Sequence, residues 1–148
     1  MKFMVLMIPG DKKSYEAGAM PEAELIAAMM KYNEDLVKSG ILLAADGLHP
    51  SPKGARVSFA GGGKSRVTDG PFAEAKELIG GYWIWQVESK AEAVEWAQRC
   101  PALAGDTIEL RQLFDAADFG PEVAAKEGAL MEEIGKQMEA NRKHPPTA

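Results

Sequence analysis

Two segments of this chain carry large apolar side chains at both odd and even positions, and they constrain its fold more than any other feature. They are "KFMVLMI" (2–8) and "YWIWQV" (82–87). A β-strand turns successive side chains to opposite faces, so a strand of this kind needs cover on both sides. Both segments are therefore predicted to be central strands of a sheet that is covered on each face.

Two helices are predicted to pack against that sheet. Pro21 is a favourable first helical residue, and the apolar stripe that follows it ends at Gly40. Ser89 and Glu92 match the capping-box pattern, and the helix that they begin is expected to end before Pro101. Two further strands are predicted, at 41–45 and 106–114.

A β-hairpin is predicted between these elements. "ARVSFA" and "KSRVTD" alternate in polarity on either side of the glycines 61–63, which supply the positive φ angles of a tight turn. Val57, Phe59 and Val67 are predicted to face inward, and Arg56, Lys64 and Arg66 are predicted to face water. Asp69 has the same parity as Val67, so its carboxylate is expected to point inward as well.

The predicted order is strand, helix, strand, hairpin, strand, helix, strand and a last helix that begins at Pro121. It indicates an α+β fold of the ferredoxin-like split βαβ type, with an inserted β-hairpin and an extra C-terminal helix. Residues 1–120 are expected to form the domain, and 121–148 an amphipathic helix with a frayed tail.

Right-handed crossovers place both core helices on one face of such a sheet, which leaves the other face without helices. An exposed apolar face of this size would exceed the patches that monomers usually show. A second copy, packed sheet to sheet in a homodimer, is one predicted cover. The alternative cover is the chain's own C-terminal helix, whose apolar stripe includes Leu130, Met131, Ile134 and Met138.

Composition excludes several classes of partner. The net charge of -5 and the pI near 5.1 provide no basic footprint for nucleic acid. No stretch approaches the roughly 18 apolar residues of a membrane span, so the protein is expected in the cytoplasm. Cys100 is the single cysteine, so it has no partner for an internal disulfide and is expected to be a buried or semi-buried thiol.

The corner "TDGPF" (68–72) is the first candidate for chemistry. An inward Asp69 carboxylate needs hydrogen bonds or a proton. One interpretation is a turn anchor that accepts backbone N–H groups, with Pro71 opening a short helix through Leu78. The other is a general acid or base in a cleft between helix and sheet. "DFGPE" (118–122) has the same residue types before a helix where no chemistry is expected.

Other polar residues have two interpretations as well. Glu74 and Glu77 share a helical face, either as a solvated surface or, with Lys76, as substrate contacts. His49 is an exposed loop residue or a proton carrier. The two histidines are scattered, and "AGGGKS" joins two strands and does not open a helix. No metal site, phosphate loop or cofactor is therefore predicted.

"VTDGPFAEAKELIGGYWI", with "SGILLAADGL" before it and "EAVEWAQRCP" and "IELRQLF" after it, resembles the YCII-related family over about residues 2–120. It is most similar to the branch marked by an Asp-Gly-Pro-Phe motif. The resemblance implies a ferredoxin-like fold that dimerises through its sheets as a dimeric α+β barrel. It also implies an acid-base site with His and Asp in compact members, and a frequent association with extracytoplasmic-function sigma factors.

The motif aspartate of that family corresponds to Asp69, and its charged continuation to Glu74, Lys76 and Glu77. Compact members carry a histidine on the first helix, but counting back eleven residues from Gly40 reaches Met29. A thioether does not transfer protons, so the His-Asp pair of those members is missing from this sequence, and His49 could replace it only from a different loop.

Two functions follow from these residues. The first is a small-molecule-binding protein, with catalysis left open, in which Asp69, His49 and Glu77 act on the substrate and Glu74, Lys76 and Tyr82 contact it. The alternative is a non-catalytic binding or regulatory module that senses a ligand or docks a partner, such as a sigma-factor regulator.

Overall fold

A computed structural model describes residues 1–72 and 78–143. The helices are α1 (Lys12–Glu16), α2 (Ala23–Lys38), α3 (Lys90–Gln98) and α4 (Pro121–Lys143). The strands are β1 (Lys2–Ile8), β2 (Leu42–Gly47), β3 (Ala55–Gly61), β4 (Lys64–Asp69), β5 (Gly81–Gln86) and β6 (Thr107–Gln112). The chain divides into two compact units, Met1–Leu113 and Phe114–Ala148. The predicted α+β class is confirmed.

Four strands form one antiparallel sheet in the order β2-β5-β1-β6. Val5 lies opposite Trp83 on one side and Leu110 on the other. The two segments that are apolar at both parities thus occupy the two inner positions, as predicted. Because residues directly opposite each other share a face, Val5, Trp83 and Leu110 all point to the same side.

The core lies between this side of the sheet and the helices α2 and α3. Its buried members are Phe3, Val5, Tyr32, Leu36, Ile41, Trp83, Trp85, Val87 and Ala93. The Tyr32 hydroxyl donates to the carbonyl oxygen of Trp96 at 2.9 Å, and its ring meets Trp83 edge to face. The fully buried Trp85 indole N–H has no hydrogen-bond partner within the described part of the chain.

The opposite side of the sheet is also apolar. Its central residues on β1 and β5 are Met4, Leu6, Ile8, Tyr82 and Ile84, and all are half-buried. Glu109 and Arg111 on β6 form an ion pair of 3.0 Å at the margin of this face. The second face therefore has the apolar centre and charged margin that the proposal of a second copy requires.

Local signals set the helix ends. Ser89 caps α3 by accepting from the Glu92 N–H at 3.1 Å, while the Glu92 carboxylate accepts from Glu88 and not from Ser89. α2 begins at Ala23, two residues after the predicted start, and Gly40 after its C-cap has φ 72°. α1 was not predicted from the sequence; at its N-terminus Asp11 accepts from the Ser14 N–H at 3.0 Å.

The hairpin is present, but its predicted burial is wrong. β3 and β4 form a separate two-stranded sheet, joined by glycines that all have positive φ. Val57, Phe59 and Val67 are 51%, 84% and 62% exposed. Alternating polarity identifies which side chains share a face of a strand, but it does not show that another element packs on that face.

The second unit contains α4 and a short 3-10 turn before it. Three glutamates pair with lysines four residues later along α4, an arrangement that favours the helix on its own. Asp115 and Asp118 form a capping box at this turn, in which the side chain of each accepts a backbone N–H. Asp118, the acid in "DFGPE", therefore has a structural role, in line with the expectation of no chemistry there. Leu130, Ile134 and Met138 are largely exposed.

Among the helices formed by the described residues, none combines the length and the apolar character needed to cross a membrane.

Candidate functional site

Two adjoining cavities lie where the N-terminal half of α2 meets the ends of β1, β2 and β5. Their volumes are about 340 Å³ and 360 Å³, and Met7, Pro21, Met29 and Gly80 line both. We call these two cavities together the helix cleft. Met29 contributes an apolar, flexible thioether to it, at the position where compact family members are expected to carry a histidine.

Two hydrogen-bonded pairs supply polar groups to the 340 Å³ part of the helix cleft. The Trp83 indole N–H donates to Asn33 Oδ1 at 2.8 Å, and the Tyr82 hydroxyl donates to Asp46 Oδ2 at 3.0 Å. Within residues 1–72 and 78–143, the Asn33 Nδ2 amide group has no partner. An amide donor and a carboxylate acceptor are thus held beside an apolar surface, an arrangement suited to binding a small molecule.

These polar pairs were largely missed by the sequence analysis. Tyr82 was predicted as a substrate contact and does line the cleft, whereas Asn33 and Asp46 were not singled out. Asn33 lies 50 residues from Trp83, and Asp46 lies 36 residues from Tyr82. Pairs so distant in sequence leave no local pattern, so only the fold brings them together.

Tyr15 on α1 separates the helix cleft from the spaces next to it. Its hydroxyl donates to the Leu48 carbonyl oxygen at 2.6 Å. Burial, and secondarily the negative charge of Glu16, raise the pKa of Tyr15 above its usual value. The hydroxyl therefore stays protonated and continues to donate its hydrogen bond to Leu48, which holds the ring in place between the cavities.

The predicted inward placement of Asp69 is wrong. Its side chain is exposed at the end of β4 and lines neither the helix cleft nor the cavities beside it. No described residue donates a hydrogen bond to its carboxylate, so the turn-anchor interpretation is not supported either. The residue lies at the end of an exposed two-stranded sheet, and the described hairpin residues on the face that was taken as inward are exposed. Its catalytic role stays a prediction.

The backbone, and not the carboxylate, fixes the Asp-Gly-Pro-Phe corner. The Gly70 N–H donates to the Gly54 carbonyl oxygen at 2.9 Å, and the Phe72 N–H donates to Ser51 Oγ at 3.3 Å. A Cβ atom on Gly70 would lie 1.8 Å from the Ser51 carbonyl oxygen. Only glycine permits this approach, so the corner is a tightly packed junction.

A third cavity, of about 410 Å³, lies beside this junction. His49 and Phe72 both line it, together with Glu16, Ser51, Lys53, Arg56 and Leu78. We call it the hairpin cavity. The Glu16 carboxylate accepts from both the Ser51 hydroxyl and the Ser51 N–H, and these bonds lower the pKa of Glu16 below its usual value.

Three predicted site residues cannot be placed. Glu74, Lys76 and Glu77 lie within 73–77, outside the described residues, and so does most of the short helix predicted from Pro71 through Leu78. The segment lies between Phe72 and Leu78, both of which line the hairpin cavity. His49 is exposed and makes no hydrogen bond to a described residue. Of the two proposed catalytic residues that the structure describes, His49 lines the hairpin cavity and Asp69 does not.

The remaining reactive groups give no further site. Cys100 is half-buried, and burial with the nearby Asp106 raises the pKa of its thiol to about 11. It therefore stays protonated and unreactive at neutral pH. Over the described part of the chain, no three His, Cys, Asp or Glu side chains are grouped so that they could hold a metal ion.

No curated protein matches this chain. One similar solved structure is the 5-chloro-2-hydroxyhydroquinone dehydrochlorinase (TftG) from Burkholderia phenoliruptrix AC1100, in complex with 2,5-dihydroxybenzoquinone. The similarity covers 78% of this chain and 96% of that one, at 18% sequence identity and a TM-score of 0.39. Residues 1–117 match the family described as YCII-related domain. The chain therefore belongs to the YCII-related domain family.

Proposed function

We propose that this protein binds a small molecule in the helix cleft. One observation carries the proposal: Asn33 and Asp46 line the same cavity, and each is fixed by a hydrogen bond from an aromatic side chain. Binding sites typically combine apolar walls with a few polar groups held in place. Met7, Met29 and Trp83 supply the walls here.

A mixed library of small metabolites, followed by intrinsic tryptophan fluorescence, tests this proposal because Trp83 itself lines the cleft. Met29→Trp should fill the cleft and abolish the response of any hit, and Asp46→Ala should weaken it. Asp69→Ala is the control, since that exposed side chain is expected to have no effect. A hit that survives Met29→Trp, or that disappears with Asp69→Ala, would place the site elsewhere.

Acid-base catalysis is a second candidate function for the same cleft. The hydrogen bond of 3.0 Å between the Tyr82 hydroxyl and Asp46 Oδ2 favours it, because a carboxylate can take a proton from a substrate and a phenol can supply one. Met29 offers no proton at the position of the family histidine. Turnover should then be lost in Asp46→Asn while the fluorescence response to the ligand persists; retained turnover would exclude Asp46 as the base.

We propose further that the sheet is ferredoxin-like and forms a homodimer through its second face. The order β2-β5-β1-β6, with α2 and α3 as crossovers, supports the topology. The apolar centre of the second face supports the dimer. Light scattering should give twice the chain mass of 16.0 kDa, and Leu6→Glu should give a monomer. Ser58→Glu, on the hairpin, is the matched control and should stay dimeric.

We also propose that the chain belongs to the Asp-Gly-Pro-Phe branch of the family, because Asp69 to Phe72 carry the motif itself. A regulatory role linked to an extracytoplasmic-function sigma factor, with 121–148 as the docking segment, is the non-catalytic alternative that the exposed apolar residues of α4 favour. A cytoplasmic location stays a prediction.

A further inference from the structure

We propose that the hairpin cavity is an anion site, which binds the carboxylate or phosphate group of a small molecule with a planar or apolar body. None of the residues in the polar pairs of the helix cleft lines the hairpin cavity. The two spaces share Tyr15 as a lining residue. The inference therefore goes beyond the proposed function and does not depend on it.

Two cationic side chains of this cavity have no ion-pair partner in the described part of the chain. Lys53 and Arg56 both line it, and neither forms an ion pair with any residue in 1–72 or 78–143. Glu16 is the acidic side chain that lines the cavity among those residues. Both of its carboxylate oxygens accept hydrogen bonds from Ser51, so its hydrogen-bonding capacity is directed to Ser51 while its negative charge remains. The two cations outnumber this one negative charge, so an anion that entered would still find a net positive lining among the described residues.

The Arg56 guanidinium is also oriented for this task. Its central carbon lies 4.0 Å from the centre of the Phe72 ring. Stacking on an aromatic face leaves the N–H groups at the edge of the guanidinium free, and that edge matches the two oxygens of a carboxylate or phosphate. Phe72 is itself held by the bond from its N–H to Ser51 Oγ.

The charge distribution favours a small acidic ligand. Residues 53–69 hold four basic side chains and one acidic side chain, a net charge of +3, in a chain whose total is -5. The remainder of the chain therefore carries -8, and the positive charge is concentrated in the segment that contributes Lys53 and Arg56 to the cavity. Such a local field attracts anions. A volume of about 410 Å³ suits a metabolite, and buried Leu78 with Ile79 provides an apolar wall for its body.

An NMR titration with phenyl phosphate, benzoate and neutral phenol tests the proposal. Phenyl phosphate or benzoate should shift the amide signals of Ser51, Gly54 and Phe72 saturably, whereas phenol should not. Whichever of the two anions binds more tightly identifies the preferred group. If neither anion gives saturable shifts, or if phenol binds equally well, the proposal is overturned.

Two double variants that remove the same amount of charge distinguish the cations of the cavity from cations nearby. Lys53→Gln with Arg56→Gln should weaken binding by about tenfold or more, since charge-assisted hydrogen bonds are lost. Lys64→Gln with Arg66→Gln removes two cations from the same hairpin outside the cavity and should change the affinity little. If both double variants weakened anion binding equally, the effect would come from the overall positive charge of the segment, and the proposed site would be refuted. Met29→Trp should leave the shifts intact, which separates this test from that of the helix cleft.

Discussion

Gly70 packs so closely on Ser51 that a Cβ atom at position 70 would lie 1.8 Å from the Ser51 carbonyl oxygen. Backbone atoms on both sides of the contact leave no flexible group to move. The Asp-Gly-Pro-Phe corner therefore depends on its glycine for structure, while the aspartate beside it points into solvent.

We expect Gly70→Ala to lower the free energy of unfolding by about 2 to 4 kcal/mol, because the clash forces the corner apart. Urea unfolding measures the change. Gly47→Ala is the control, since a Cβ at Gly47 would meet nothing within 4 Å. Asp69→Ala should also be nearly neutral; a loss as large as that of Gly70→Ala would show that the carboxylate anchors the corner after all.

The two core tryptophans should respond differently to replacement by phenylalanine. Trp83→Phe leaves the Asn33 oxygen without its donor, whereas Trp85→Phe removes an N–H that has no partner in the described residues. We expect Trp83→Phe to lower the free energy of unfolding by about 1 to 2 kcal/mol more than Trp85→Phe does, because it leaves a hydrogen-bond acceptor unsatisfied. Denaturant titration of both variants measures the difference. An equal or larger cost at Trp85 would contradict this assignment.

The bonds between Ser51 and Glu16 should appear in the pH dependence of stability. They hold the pKa of Glu16 below its usual 4.5, so the stabilisation is present above about pH 4.5 and is lost as the pH falls through the lower folded-state pKa. Glu16→Gln should therefore flatten the acid limb of a plot of Tm against pH. Lys53→Gln, which lines the same cavity, is the control; an unchanged acid limb in Glu16→Gln would disprove the link.

Cys100 should contribute to the pH dependence of stability at alkaline pH. Burial, with Asp106 nearby, raises the pKa of its thiol from 9.0 to about 11, so the folded state holds the proton more tightly. The associated stability is present below pH 9 and is lost as the pH rises through about 11. Compared with wild type, Cys100→Ala should lose less Tm between these values. Parallel curves for the two proteins would rule out the thiol as the titrating group.

Residues 1–113 should fold without the rest of the chain, because every member of the core cluster lies between Phe3 and Leu110. We expect the truncated chain to melt cooperatively in circular dichroism. Retained folding and solubility would favour a docking role for α4. Aggregation of the truncated chain would instead show that residues 114–148 provide necessary cover.

Much of the fold was predictable because its signals are local. β1 and β5 stand out by apolar residues at both parities, and the Ser89 cap marks the start of α3. α1 was missed because five residues are too few to show a helical period. The exposure of Asp69 and of the hairpin could not be predicted, since it depends on what packs on a face and not on the alternation within it.

The candidate site was harder to predict than the fold. Asp46 directly follows the predicted strand 41–45, as many turn residues do, although the structure includes it in β2, and Asn33 lies within an ordinary amphipathic helix. Strand pairing brings Asp46 next to Tyr82, and the packing of α2 on the sheet brings Asn33 next to Trp83, so neither contact could be predicted from the local sequence. Phe72, as part of the motif, and His49 were noted separately, and no sequence pattern indicated that both line one cavity. Arg56 beside them was predicted only to face water.

Tyr15 forms a wall of both the helix cleft and the hairpin cavity. A displacement of its ring that enlarges one space must take room from the other. Two molecules that occupy these spaces would therefore oppose each other through a single aromatic side chain, and by thermodynamic reciprocity each would lower the affinity for the other by the same factor.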